Sequence, residues 1–248
     1  MLPSVRRNGF PAGINESFWL FDNDAVLKAH PRYKEAKAGG KEAAVELVFD
    51  LALDFLVKIK DKLPVNAIYV APHALEATGD NAIPLVLAAA CAVVAQGEIE
   101  TDIVQVTRVF HTGADPMERM SLKPEFEGSV TKGAHYVLVD DVTNMGGTLA
   151  ELSNYILSIG GIVAAVVVLV NAGRIKQFQP TRMVIRKLEK RYDDEIEEIF
   201  GIIPGALTAN EASYLIGFKS ADEIRNRLAK ARKETDRRLR SKGIERKD

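Results

Sequence analysis

Between Tyr136 and Leu152 the sequence reads YVLVDDVTNMGGTLAEL. An apolar run ends in two adjacent carboxylates, Asp140 and Asp141, and a turn holding Gly146 and Gly147 then leads to a helix start near Thr148. Glycines ahead of a helix let backbone N–H groups approach a phosphate closely, and the unpaired amides and dipole of the helix N-terminus favour the anion. Carboxylates beside such a cradle would repel a phosphate unless they bind hydroxyls or a hydrated cation such as Mg²⁺. A sugar phosphate with free hydroxyls and a metal satisfies both halves. The alternative is a tight strand-to-helix turn closed by a capping acid.

The elements that must position these residues alternate along the chain. Leu47, Leu51, Phe55, Ile59 and Leu63 recur at every fourth position, which predicts a helix over 41–63 that Pro64 stops. Val65 to Ala71 is a short apolar run between prolines and predicts a buried strand. A second helix starts near Asp80 or Asn81, carries Pro84 in its first turn and runs to about Gln96. Ile103–Val109 and His135–Asp140 predict two more strands; a helix over Thr148–Ile159 and a fourth strand, IVAAVVVLV, apolar on both faces, follow. Continuously apolar strands alternating with helices predict a doubly wound α/β fold with a mostly parallel sheet covered on both faces. Ligands of such sheets collect at the carboxyl ends of strands, where Asp140 and Asp141 lie. The long segment FHTGADPMERMSLKPEFEGSVTKG reads as a loop, and loops of that length are more often functional than idle.

Three regions are expected. Residues 1–40, with Phe10, Phe18, Trp19 and Phe21 among glycines and prolines, predict loops and short pieces, either a hood over a ligand or a cover for the core. Residues 41–180 form the α/β core, and residues 181–248 a helical appendage. In the appendage DDEIEEIF predicts an amphipathic helix within 181–203, and Thr208 to Glu211 and Ser220 to Glu223 are capping boxes that open two further helices. From Lys219 onward twelve Lys or Arg stand against six acids. That is either a helix-turn-helix contacting nucleic acid or a packed helical appendage with a solvated charged tail.

Composition narrows the classes. With 248 residues, 47% of them hydrophobic, the chain can build one sizeable core or a domain plus an appendage. A formal charge of -1 gives no global pull toward nucleic acid or anionic membranes. The single cysteine, Cys91, lies in an apolar run, which excludes an internal disulfide and a multi-cysteine metal site. His30 and His135 are scattered, and no HxH or HxxxH spacing supports a transition-metal site. The N-terminus lacks the apolar region of a signal peptide and no run reaches the length of a membrane span, so a cytoplasmic protein is expected.

VLVDDVTNMGGTL resembles the phosphoribosyl-pyrophosphate signature of the type I phosphoribosyltransferases, and the order of elements extends the resemblance over roughly 41–172. The resemblance implies phosphoribosyl pyrophosphate and Mg²⁺ as ligands, a nucleobase or related acceptor, and a homodimer. It puts Asp140 and Asp141 on the ribose hydroxyls, with the metal held through those hydroxyls or water. Thr143, Asn144, Met145, Gly146, Gly147 and Thr148 would hold the 5-phosphate. Ala71, Pro72 and His73 would correspond to the pyrophosphate loop, and the segment after Arg108 to a lid that brings Arg119 or Lys123 to the pyrophosphate. Glu76 and Asp80 would either position magnesium through water or be solvated loop acids; His111 opens the lid with no evident partner. The reaction passes through an oxocarbenium-like state, so stabilising the leaving diphosphate matters more than a covalent nucleophile. One departure stands out: Asn144 and Met145 replace the usual Thr or Ser, and Met145 cannot donate a hydrogen bond. Losing one such charge-assisted bond costs about 1.5–3 kcal/mol. The alternative function is a regulator that senses the same ligand without turning it over.

Overall fold

In the computed structural model, which describes residues 5–73, 81–106 and 115–241, the chain opens with strand β1 (Phe18–Phe21) and short helices α1 (Ala25–Ala29) and α2 (Tyr33–Lys37). Helix α3 (Lys41–Ile59) leads into β2 (Ile68–Val70), α4 (Ile83–Ala95), β3 (Glu98–Glu100) and β4 (Val104–Gln105). Next come α5 (Pro116–Ser121), β5 (Phe126–Glu127), β6 (His135–Thr143), α6 (Gly147–Ile159) and β7 (Ile162–Asn171). The last described elements are α7 (Arg182–Tyr192), α8 (Glu195–Phe200), α9 (Ala209–Leu215) and α10 (Ala221–Ser241).

Five strands form one parallel sheet in the order β1-β7-β6-β2-β3. Side chains of a strand alternate between faces, so both faces of β6 and β7 must be covered. Val137 and Val139 of β6, with Val167 and Leu169 of β7, pack under α3 and α4. Tyr136 and Leu138, with Val166 and Val168, pack against α6 on the opposite face. Val163 and Ala165 fall on different faces although they are two apart, because the register slips by one residue between the Tyr136–Val163 and Val137–Ala165 pairs. This bulge sets which β7 residues face α6 for the rest of the strand. Each aliphatic side chain fully buried this way contributes about 1.5–3 kcal/mol, so the doubly wound α/β class follows from the apolar strands. Cys91 is buried in α4, where burial pushes its thiol up to about 12. Among the described residues no helix is long and apolar enough to cross a membrane.

Four elements differ from the pattern-based expectation, each for a local reason. The strand expected at Ile103–Val109 is described only as far as residue 106, and that part does not join the main sheet. Within its described part, β4 pairs antiparallel with β5, while the polar Glu98–Glu100 takes the sheet edge beside β2. An edge strand needs little apolar surface, so hydropathy passes over it. At the other edge, Phe18–Phe21 adds a parallel strand to β7 where composition predicts loops. The long segment before β6 contains helix α5, opened by a full capping box between Asp115 and Glu118 with a proline in the first turn. The amphipathic stretch after residue 181 is split into α7 and α8 at Asp193, which adopts φ +47°.

The C-terminal helices build a third apolar cluster. Leu188, Tyr192, Ile196, Phe200, Leu215 and Ile224 enclose Met117 and Met120 of α5, and Met145 packs against them. One turn of the α/β core and the segment ahead of β6 thus share a core with the appendage.

Candidate functional site

The chain leaves β2 toward β3 through α4 and leaves β6 toward β7 through α6, in opposite directions along the sheet. The crevice at the carboxyl ends of β2 and β6 is therefore the topological switch point, where open α/β sheets bind ligands. A cavity of about 490 Å³ opens there, lined by Pro72 and His73 after β2 and by Asp140 to Leu149, which run from the end of β6 into α6. Tyr33 and Lys37 of α2, Arg119 of α5, Lys123, Glu151 and Glu211 also line it, with Asp24, Lys28 and Asn81 among the remaining polar groups. Of the residues singled out by sequence, Asp140, Asp141, Thr143, Asn144, Met145, Gly146, Gly147, Thr148, Pro72, His73, Arg119 and Lys123 line this cavity. Ala71 lies buried at the end of β2. Glu76, Asp80, Arg108 and His111 fall outside the described residues. His135 begins β6 at the opposite end of the strand, and His30 pairs with Asp50 at 3.3 Å on the surface.

The two acids are not equivalent. Asp141 is buried, and its Oδ2 accepts from Lys37 Nζ at 2.8 Å and from Asn81 Nδ2 at 3.1 Å. Asp140 is half-buried, its Oδ1 accepting the backbone N–H of Asp141 at 2.8 Å. Burial, then the neighbouring Asp141 charge, hold the Asp140 carboxyl well above the usual carboxylate range. His73 is fixed at its backbone, whose carbonyl accepts from Gln105 N at 2.7 Å, and its Nδ1 lies 3.1 Å from Ala71 O.

The glycine turn is gripped from behind. Gly146 adopts φ +80°, the left-handed region that glycine enters without penalty, and its carbonyl accepts from Ala150 N at 2.9 Å in the first turn of α6. A Cβ on Gly147 would meet Glu211 Oε1 at 2.9 Å, so this glycine admits α9 as much as any ligand. Thr208 caps α9 and donates its hydroxyl to Met145 O at 2.6 Å. Glu211 in turn holds Arg6, whose Nη2 lies 2.6 Å from Glu211 Oε2 and whose Nε lies 3.5 Å from Glu151 Oε1, with no solvent exposure at Arg6. Burial raises the Glu151 carboxyl above its ordinary range, while Arg6 and Lys123 pull it back. Lys123 donates to Gly201 O at 2.9 Å and lies 3.7 Å from Glu151; burial lowers its ammonium from the ordinary lysine range, against the pull of Glu151.

Sequence reasoning missed Lys37, Asn81 and Arg6, which reach the site from elements far away in the chain, and Glu151, which lies in the first turns of α6 itself. Thr208 and Glu211 carry a capping box, but that pattern announces a helix start and nothing about the turn it touches. The described donors also bear on the magnesium expected at Asp140 and Asp141. Mg²⁺ demands near-octahedral oxygen ligation. Among the described residues no group of three or more His, Cys, Asp or Glu could hold a metal ion, and Asp141 already serves an ammonium and an amide. With the Lys37 ammonium on Asp141, the acid pair is closed to a divalent cation, and it would fit one only with that ammonium removed.

Fold and pocket together define a parallel-sheet α/β protein with a glycine turn and two acids at its topological switch point. No protein-family model matches the chain. It is 38% identical over 219 residues to protein TraN of Escherichia coli, a match covering 86% of this chain and 49% of TraN. An uncharacterized protein of Haemophilus influenzae is 39% identical over 131 residues, covering 52% of this chain and 29% of that one. The chain thus spans about half the length of TraN and less of the second relative. Among solved structures, an adenine phosphoribosyltransferase from Thermoanaerobacter pseudethanolicus aligns at a TM-score of 0.33 with 18% identity, covering 50% of this chain and 79% of that one.

Proposed function

We propose that the pocket binds phosphoribosyl pyrophosphate and transfers its phosphoribosyl group to a nucleobase or related acceptor. The observation that carries this reading is the joining, at the end of β6, of a half-buried carboxylate to a left-handed glycine turn that opens the 13-residue helix α6. In this reading the 5-phosphate accepts hydrogen bonds from the amides of the turn and sits on the positive end of the α6 dipole. Asp140 accepts a ribose hydroxyl, and the diphosphate faces His73, Arg119 and Lys123. The bond from the anomeric carbon to the diphosphate oxygen breaks as the acceptor nitrogen bonds to that carbon, and the acceptor releases its proton. The cationic side chains stabilise the charge that builds on the leaving diphosphate.

A second reading, a sensor without turnover, is favoured by one observation: the Met145 carbonyl and side chain are both held by the C-terminal helical layer. A ligand that shifts the turn would shift α9 with it.

Calorimetric titration of phosphoribosyl pyrophosphate into the wild type and Asp140→Asn, followed by a pyrophosphate-release assay over a panel of nucleobases, tests both. Binding weakened in the variant, with release, supports transfer. Binding without release supports sensing. A wild type that binds neither phosphoribosyl pyrophosphate nor a nucleoside 5-monophosphate refutes both.

A further inference from the structure

Lys37 is held at the acids by the fold. It ends α2, whose Ala36 is buried and accepts the N–H of Ala82 at 3.1 Å, tying α2 to the start of α4. The same junction places Asn81, which also accepts from Ile83 N at 3.3 Å. Both side chains therefore reach Asp141 from a packed joint between two helices. Burial works against the Lys37 charge, but Asp141, Tyr33 and Asp140 outweigh it and raise the ammonium above its ordinary range. Lys37 also lines the cavity, and an ammonium has three donors, only one of which is needed for Asp141.

We propose that the Lys37 ammonium is the resident cation of this pocket: it neutralises the acid pair where a divalent metal would otherwise sit and offers its remaining N–H bonds to anionic oxygens of the ligand. Ligand binding is then independent of divalent cations. This rests on the phosphoribosyl-pyrophosphate reading for the identity of the ligand, but the cation itself can be tested without one.

The decisive measurement is binding of Mn²⁺ alone, followed by electron paramagnetic resonance, to the full chain as wild type, Lys37→Met and Lys37→Arg. The expected result is binding by Lys37→Met only, since removing the ammonium leaves two adjacent carboxylates without a cation. Binding by the wild type as tight as by Lys37→Met, or by neither, overturns the proposal. Lys37→Met keeps the length of the side chain and Lys37→Arg keeps its charge, and thermal melts establish that both are folded.

Phosphoribosyl pyrophosphate is then titrated in EDTA and in excess Mg²⁺. The wild type is expected to bind equally in both, and Lys37→Met to bind about ten- to a hundredfold more weakly in EDTA, the worth of one charge-assisted hydrogen bond. A wild type that needs Mg²⁺ overturns the proposal. A wild type that binds under neither condition refutes the function proposed above and leaves the Mn²⁺ result to decide the role of Lys37.

Discussion

Replacing Arg6 by Met would test whether the buried charge network holds the glycine turn to the C-terminal layer. The backbone of Arg6 is anchored independently, donating to Gly201 O at 2.8 Å and accepting from Ile203 N at 3.2 Å, so the substitution removes the guanidinium and little else. Two carboxylates then lose their main counter-ion: Glu211, 2% exposed, and Glu151, 5% exposed. Breaking a buried pair by removing one partner costs about 3–5 kcal/mol. Glu211 keeps the Thr208 N–H at 2.8 Å and Glu151 keeps Lys123 at 3.7 Å, which argues for the low end, about 3 kcal/mol. For a chain of this size that is a fall in Tm of about 6–12 °C.

The assay is urea denaturation of the wild type, Arg6→Met, Glu211→Gln and the double variant, repeated at several pH values. The coupling energy from the cycle is expected within about 1–3 kcal/mol, with the double variant less damaged than the sum of the singles. The sign of the pH effect follows from Glu151. Its folded-state pKa is already raised by burial, and Arg6 is the first neighbour lowering it, so losing Arg6 raises it further. A carboxyl with a raised folded pKa contributes stability below its unfolded value and loses it as pH rises through the folded one. The deficit of Arg6→Met is therefore expected to be largest near neutrality and to shrink in mild acid. A loss under about 1 kcal/mol, the range of an exposed ion pair, or a deficit that ignores pH, would refute the reasoning.

Four further outcomes are expected. Thr208→Val removes both the α9 cap and the bond to Met145 O, and should cost about 1–2 kcal/mol in denaturant while weakening phosphoribosyl-pyrophosphate binding. Gly147→Ala puts a methyl 2.9 Å from Oε1 of Glu211, a carboxylate whose other oxygen Arg6 and Thr208 hold in place; a loss of about 1–3 kcal/mol is expected, and an unchanged urea midpoint would show that α9 can retreat. Asp140→Asn deletes a charge that burial and Asp141 disfavour, and wild-type stability should fall as pH rises through the raised Asp140 pKa. Thermal melts of the variant should thus show a flatter pH profile and a gain of about 0.5–2 kcal/mol at neutral pH, alongside lost ligand affinity. Met145→Thr restores the hydroxyl that the resemblance calls for but withdraws a partly buried side chain from the C-terminal cluster. Unfolding free energy should drop by about 1–2 kcal/mol, below the range for a fully buried methionine.

How much was legible from sequence depended on how local the cause was. The apolar runs of β6 and β7 and the four-residue repeat of α3 are local patterns, and they gave the covered parallel sheet. The capping box at Asp115 and Glu118 was equally local, yet length alone made that segment read as a loop. Edge strand β3 escaped because it is polar and largely exposed, and β1 because its four apolar residues are too short a run, set among glycines and prolines, to read as a strand. The site divides the same way. Its acids and glycines lie in one run of sequence, whereas Lys37, Asn81, Arg6 and Glu211 arrive from separate elements, and no spacing rule links residues 6, 147 and 211.

Met145 shows what that separation conceals. Within the turn it looks like a lost phosphate donor, because its side chain offers no N–H or O–H. In the folded chain its side chain packs on the cluster formed by α5 and the C-terminal helices, and its carbonyl takes the Thr208 hydroxyl. A threonine there would be too short to hold that packing. The substitution therefore exchanges one possible phosphate contact for a fixed joint between pocket and appendage, and Gly147 makes the same joint by yielding its Cβ space to Glu211. Met145, Gly147 and Glu211 also line the cavity, so a change at this joint is felt in the pocket and in the C-terminal layer together.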